Sequence, residues 1–87
     1  MTNVIWKYEL NGCSSQELRV PANHDILSVD VDNDKLKLYV IVNPEDDEVT
    51  LDIHMYPLGV PIFHGKNTYI GCIVLNNRIF HMFYSIR

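Results

Sequence analysis

Ser28-Val29-Asp30-Val31-Asp32-Asn33-Asp34-Lys35-Leu36-Lys37-Leu38 decides the fold class, because this stretch has the pattern of two strands joined by a tight turn. Apolar and polar residues alternate on both sides of Asn33-Asp34, as they do in strands with one buried face. Asn and Asp also tolerate the positive φ angles that a two-residue hairpin turn requires. With that turn, Asp30 faces Lys37 and Asp32 faces Lys35, while the apolar residues form a ladder on the other face.

The same alternation predicts further strands on both sides of this hairpin. The alternation predicts an apolar stripe at the N-terminus, a short strand, a strand after a charged turn and a second hairpin around Asn76-Asn77. They are Val4 to Leu10, Gln16–Val20, Val49–Met55, Tyr69–Leu75 and Arg78–Tyr84. No window has helical periodicity. We therefore expect residues 1–87 to form a single all-β domain, a small antiparallel β-sandwich or partly closed barrel of about 6–7 strands.

The second hairpin differs from the first because both of its faces are apolar. Either it is covered on both sides, or one face is an exposed patch that awaits a partner. We predict the exposed patch, through which a chain this small self-associates into a homo-oligomer. This interpretation assigns to the partner-binding face Phe80, Met82 and Tyr84, and to the core Ile70, Ile79 and Phe83.

Charge and cysteine content exclude several classes of protein. The chain has 7 basic and 11 acidic residues, for a formal net charge of −4. This balance disfavours direct binding of nucleic acid, which needs clustered Lys and Arg to neutralise phosphates. The N-terminal residues do not resemble a secretory signal, and no run of about 18 apolar residues is present to span a membrane. Cys13 and Cys72 then predict reduced thiols in a cytoplasmic protein.

Cys72 and His81 are adjacent in the register of the second hairpin, so they are the natural candidates for metal binding or Cys–His catalysis. A zinc site needs two more ligands, and a nucleophilic cysteine needs a polar, partly exposed pocket. The neighbours Val74 and Ile79 are apolar, which favours burial of the pair as packing. The sequence therefore predicts no catalytic residues, no metal, no cofactor and a role that is not enzymatic.

The segment 56–68 is a long and unusually apolar connection. One interpretation is a loop that covers the core at an open end of the sheets, and the other is a lid or rim that holds a ligand or partner. Basic and polar side chains in and near the segment are candidate contacts for a small anionic ligand. They are His64, Lys66, Tyr69 and Arg78.

Several short blocks carry a resemblance along most of the chain. They are Ile5-Trp6-Lys7-Tyr8-Glu9-Leu10, Ile26-Leu27-Ser28-Val29, Gly59-Val60-Pro61-Ile62, Tyr69-Ile70-Gly71 and Phe80-His81-Met82-Phe83. In combination they resemble a family of short accessory proteins of tailed phages. The resemblance implies a phage protein in the host cytoplasm that antagonises an antiviral defence system, by binding a host defence protein or by sequestering a small nucleotide signal. The alternative is a structural virion or assembly component.

Overall fold

Seven antiparallel strands make up the fold in the computed structural model, which describes residues 2–62, 65 and 67–87. Their bounds are Val4–Leu10 (β1), Ser15–Pro21 (β2), His24–Asp32 (β3), Lys35–Val42 (β4), Glu48–Pro57 (β5), Thr68–Leu75 (β6) and Arg78–Ile86 (β7). The described residues contain no helix, and so none that is long and apolar enough to cross a membrane. The predicted all-β class is confirmed.

The strands form two separate sheets rather than a closed barrel. One is three-stranded, in the order β1-β4-β3, and the other is four-stranded, in the order β2-β5-β7-β6. Every neighbouring pair is antiparallel, and β3 lies against β6 where the two sheets meet. The inner faces bury one continuous apolar core, which is the arrangement of a small β-sandwich. Its buried members are Leu10, Val20, Leu36, Leu38, Val40, Val42, Leu51, Ile53, Met55, Ile73 and Met82.

The two tight turns adopt the backbone that their Asn and Asp residues predict. The φ angles are 51° at Asn33 and 63° at Asp34, and 52° at Asn76 and 62° at Asn77. Positive φ at both central residues defines the type I′ turn, whose twist matches that of the flanking strands. The predicted register of the first hairpin is also confirmed, since Asp32 pairs with Lys35 and Asp30 with Lys37.

The lysines of this hairpin nevertheless make their ion pairs elsewhere. Lys37 Nζ lies 2.7 Å from Glu9 Oε1, and Lys35 Nζ lies 3.6 Å from the same oxygen. The reason is topological: β4 is the central strand of its sheet, so Lys37 has Glu9 on one side and Asp30 on the other. Hydrogen bonding from Lys37 and the charge of Lys35 hold the pKa of Glu9 below its usual range.

The second hairpin follows the predicted register only as far as a bulge. Cys72 pairs with His81 and Ile73 with Phe80, as expected, but an irregularity between Tyr69 and Gly71 then shifts the pairing by one residue. Tyr69 consequently faces Phe83. Because the extra residue of a bulge changes the face on which later side chains lie, the alternation rule fails at this point.

The predicted faces of β7 are reversed in the structure. Met82 is 0% exposed, while Phe80 and Tyr84 are partly buried and pack against the core. The cause is the pairing of β7 with β5, which places Met82 opposite Met55 and so on the face that β5 turns to the core. The expectation that Phe80, Met82 and Tyr84 form an exposed face is therefore wrong. Ile79, which was expected in the core, is exposed.

A buried asparagine anchors the turn between β4 and β5. Asn43 is the buried polar residue of the described chain, and its Nδ2 donates to Asp46 Oδ1 at 3.3 Å. Its Oδ1 accepts a hydrogen bond from the backbone amide of Glu45 at 3.2 Å. The backbone amide of Asn43 donates to the backbone carbonyl of Asn23 at 3.2 Å. Asp46 Oδ2 in turn accepts the Asn23 amide at 3.0 Å. The two turns at this end of the sandwich are thus held together by polar groups.

Candidate functional site

The outer face of the four-stranded sheet carries a concentration of aromatic side chains. Its cross-strand rows follow from the register: His54 faces Phe83 and Phe83 faces Tyr69, then Tyr56 faces His81 and His81 faces Cys72. The last row pairs Ile79 with Val74. We call this surface the aromatic face, and define it as His54, Tyr56, Tyr69, Cys72, Val74, Ile79, His81 and Phe83.

The rings of the aromatic face contact one another across three strands. Tyr56 stacks on His54 with centroids 6.1 Å apart and meets Phe83 edge-on at 5.9 Å. Tyr69 meets Phe83 edge-on at 5.2 Å and lies 5.7 Å from the His81 ring. Such contacts restrict the rotamers of exposed rings, so the surface is ordered before any partner arrives.

One pair of polar side chains within the aromatic face shares a hydrogen bond. The Tyr69 hydroxyl and His81 Nδ1 are 2.9 Å apart and share a hydrogen bond. Desolvation of the hydroxyl, followed by the effect of the nearby Cys72 thiol, raises the pKa of Tyr69. Tyr69 is therefore neutral at physiological pH and adds no charge to the surface.

A shallow cavity adjoins the aromatic face where the 57–62 loop leaves β5. Its volume is about 260 Å³, and a positive φ of 83° at Gly59 turns the loop. The apolar side chains of this loop are exposed rather than packed into the core, which favours the rim interpretation of segment 56–68. The cavity is lined by Tyr56, Pro57, Leu58, Gly59, Val60, Ile62, His81 and Phe83.

Ion pairs border the other end of the aromatic face. Arg87 contacts Glu17 through one guanidinium nitrogen and donates to Asp52 Oδ1 at 2.7 Å through the other. Next to them, the Ser15 hydroxyl lies 3.3 Å from His54 Nδ1. An apolar, aromatic centre with a polar margin is the composition of a protein–protein interface.

The two predicted ligand contacts that the structure describes, Tyr69 and Arg78, do not come together. Tyr69 belongs to the aromatic face, whereas Arg78 lies at the β6–β7 turn with its guanidinium carbon 5.7 Å from the Phe80 ring centroid. Phe80 is on the core side of β7, so Arg78 and Tyr69 occupy opposite sides of the sheet. His64 and Lys66 lie outside the described residues.

The aromatic face also contains residues that sequence reasoning missed. His54 and Tyr56 alternate with the buried Ile53 and Met55, and this was the available signal for an outward aromatic pair. Cys72 was expected to be buried, but it is exposed in the structure. Among the described residues, no group of three or more metal-ligating side chains lies close together.

Comparison with known proteins places the chain in one sequence family. Residues 1–87 match the domain of unknown function DUF7352. No curated protein and no solved structure matches the chain. Because the match covers the chain from end to end, the aromatic face lies entirely within the domain that defines this family.

Proposed function

We propose that this chain, which belongs to the DUF7352 family, is a non-enzymatic binding protein whose aromatic face contacts a host protein. The observation that supports the proposal most strongly is an outward-facing aromatic surface that carries no Asp, Glu, Lys or Arg among its described residues. Tyr69, Val74 and Ile79 are exposed on it, and its other rings are partly buried. Large apolar patches on a small domain are costly in water unless a partner covers them. Aromatic residues with neighbours that fix their rotamers are also the side chains that dominate binding energy at interfaces.

Charge favours a protein partner over single-stranded nucleic acid. Aromatic rings on an open sheet can stack with bases, but such surfaces also need cations that follow the phosphate backbone. Arg87, at the margin of the aromatic face, is already neutralised by Glu17 and Asp52, and Arg78 lies on the other side of the sheet. With a net charge of −4, the chain repels a polyanion.

The same argument weighs against the sequestration of a small anionic nucleotide. Of the predicted contacts, only Tyr69 lies on the aromatic face within the part of the chain that the structure describes, and it is neutral. The cavity beside it is lined by apolar and aromatic side chains together with His81. Nucleotide binding is therefore the runner-up, and co-purification of an ultraviolet-absorbing small molecule would favour it.

The biological context of the proposal comes from the resemblance to tailed-phage accessory proteins. In that context, the partner is a protein of a host antiviral defence system and the chain acts in the host cytoplasm. A structural role in the virion or its assembly is the alternative, and it predicts that the chain is detected by mass spectrometry in purified particles. An inhibitor of host defence is expected in the infected cell instead.

Expression in bacteria that carry a panel of defence systems tests the proposal. We expect the wild-type chain to abolish protection by one system, measured as restored plaque formation. Ile79→Asp should lose this effect, because it places a charge on the aromatic face. Leu27→Asp is the matched control, since Leu27 is 45% exposed and Ile79 is 44% exposed, and Leu27 lies in the bulge of β3. Equal activity of both variants, or no effect on any system, would count against the proposal.

A further inference from the structure

The strand β1 presents an unprotected edge. β1 pairs only with β4 among the described strands, so its other side carries backbone amides and carbonyls without strand partners. Its register with β4 is continuous from Val4 to Leu10, without a bulge or a proline. A regular edge of this kind is a template for pairing with another strand.

The other three edges of the sandwich are bulged and covered, or end at a proline. β2 ends at Pro21, which has no amide hydrogen to donate. β3 has a bulge between Ile26 and Ser28, β6 has one between Tyr69 and Gly71, and these two edges lie against each other. Bulges, proline and covering are devices by which sheets prevent unwanted pairing, and charged edge side chains are a further one. Strand β1 has none of the first three, and the charge of Lys7 on it can be neutralised by a carboxylate of an added strand.

A tryptophan at the β1 edge is incompletely covered. Trp6 pairs with the fully buried Val40 and so belongs to the inner side of its sheet, yet it is 40% exposed. Its ring meets Tyr8 edge-on, with centroids 6.3 Å apart. A strand added beside β1 would place its own side chains against these two rings.

We propose that β1 pairs antiparallel with β1 of a second copy of this chain, which joins two three-stranded sheets into one continuous sheet. The symmetry axis passes through Tyr8, so that Lys7 of each copy faces Glu9 of the other. Opposite charges directly across an antiparallel pair stabilise it, and the twofold axis repeats the contact.

Charge complementarity selects this register among the neighbouring ones. An axis through Lys7 would set the two copies of Lys7 against each other, and an axis through Glu9 would oppose the two carboxylates. An axis through Trp6 would place Lys7 opposite the apolar Ile5. Only the Tyr8 register gives Lys7 a carboxylate partner, and Glu9 is 54% exposed, so it can accept this contact beside those from Lys37 and Lys35. The contact forms at the edge of a protein whose net charge of −4 otherwise resists association.

Sedimentation over the micromolar concentration range tests this dimer. Lys7→Glu should raise its dissociation constant at least about tenfold, because it opposes two carboxylates at two symmetric positions. Lys7 is exposed, so the variant should retain the circular dichroism of the wild type. Arg78→Glu is the matched control: it changes the net charge by the same amount at a distant turn and should shift the constant by less than about twofold.

Hydrogen exchange measured by mass spectrometry supplies a second test on the wild-type chain. As the concentration rises, amides of residues 4–10 should exchange more slowly, whereas those of β2 should not change. A monomer at high micromolar concentration, a dimer that Lys7→Glu and Arg78→Glu weaken equally, or a dimer whose β1 amides remain unprotected would overturn the proposal. The aromatic face is not used in this contact, so the proposed function would stand even if the β1 dimer were disproved.

Discussion

At the scale of single residues, Lys35 and Lys37 show how the position of a charged side chain in a sheet changes its contribution to the stability of the fold. Both lysines reach Glu9, but the Lys37 side chain is only 13% exposed and its nitrogen is 2.7 Å from the carboxylate. The Lys35 side chain is 60% exposed, at 3.6 Å. An exposed ion pair at the longer distance is strongly screened by water, whereas a pair whose lysine is mostly buried is screened less.

We predict that Lys37→Glu lowers the free energy of unfolding by about 2 kcal/mol, because it inserts a carboxylate between Glu9 and Asp30 in a partly desolvated position. Lys35→Glu, with the same change in charge, should cost less than about 1 kcal/mol. Urea unfolding of the two variants at neutral pH measures both values. Equal losses of stability in the two variants would show that repulsion from the shared partner Glu9, rather than the burial of residue 37, determines the loss.

At the scale of elements, the side chain of Asn43 holds the turn between β4 and β5 through hydrogen bonds to Glu45 and Asp46. Asn43→Ala should lower the free energy of unfolding by about 2 kcal/mol, because it removes the hydrogen bonds that the buried Asn43 side chain makes with the Glu45 amide and the Asp46 carboxylate. Glu45→Ala in the same turn is the control and should change stability by less than about 0.5 kcal/mol. Thermal unfolding distinguishes them; a smaller loss for Asn43→Ala would mean that water replaces its hydrogen bonds.

The elements also show which parts of the fold could be predicted. Asn33-Asp34 and Asn76-Asn77 determine both tight turns locally, and the alternation of Asp and Lys around the first one determines its register. Which carboxylate Lys37 pairs with depends on β1, which lies far away in sequence. A prediction from neighbouring residues therefore identified the strands but not the partner of Lys37.

The second hairpin shows the opposite case. Both of its faces are apolar, so alternation carries no information about which one is buried. The pairing of Met82 with Met55 settles the question, and this contact is nonlocal. Of the candidate site, Tyr69 was predicted from the sequence, and alternation with Ile53 and Met55 was the signal that could have indicated His54 and Tyr56. That these two share a surface with Phe83 follows only from the nonlocal pairing of β5 with β7.

At the scale of the whole molecule, the Cys72 thiol can test which surface the proposed dimer uses. Cys72 lies on the aromatic face and Cys13 lies in the loop between β1 and β2, and both are exposed. We predict that maleimide labels Cys72 in the folded chain at a rate that does not change with protein concentration, because the dimer forms at β1. Mass spectrometry of the labelled peptides measures the rate. Slower labelling of Cys72 at high concentration would indicate association through the aromatic face.

The position of β7 has a consequence for the synthesis of the protein. β7 is the last of the seven strands along the chain, yet it lies between β5 and β6 in the middle of its sheet. During translation, β6 has no hydrogen-bonded neighbour until β7 has left the ribosome, and the core lacks Met82 for the same period. A stop codon within the β7 coding region would remove a central strand rather than trim an edge, and we expect cellular proteases to degrade the truncated product because it cannot form a smaller sandwich.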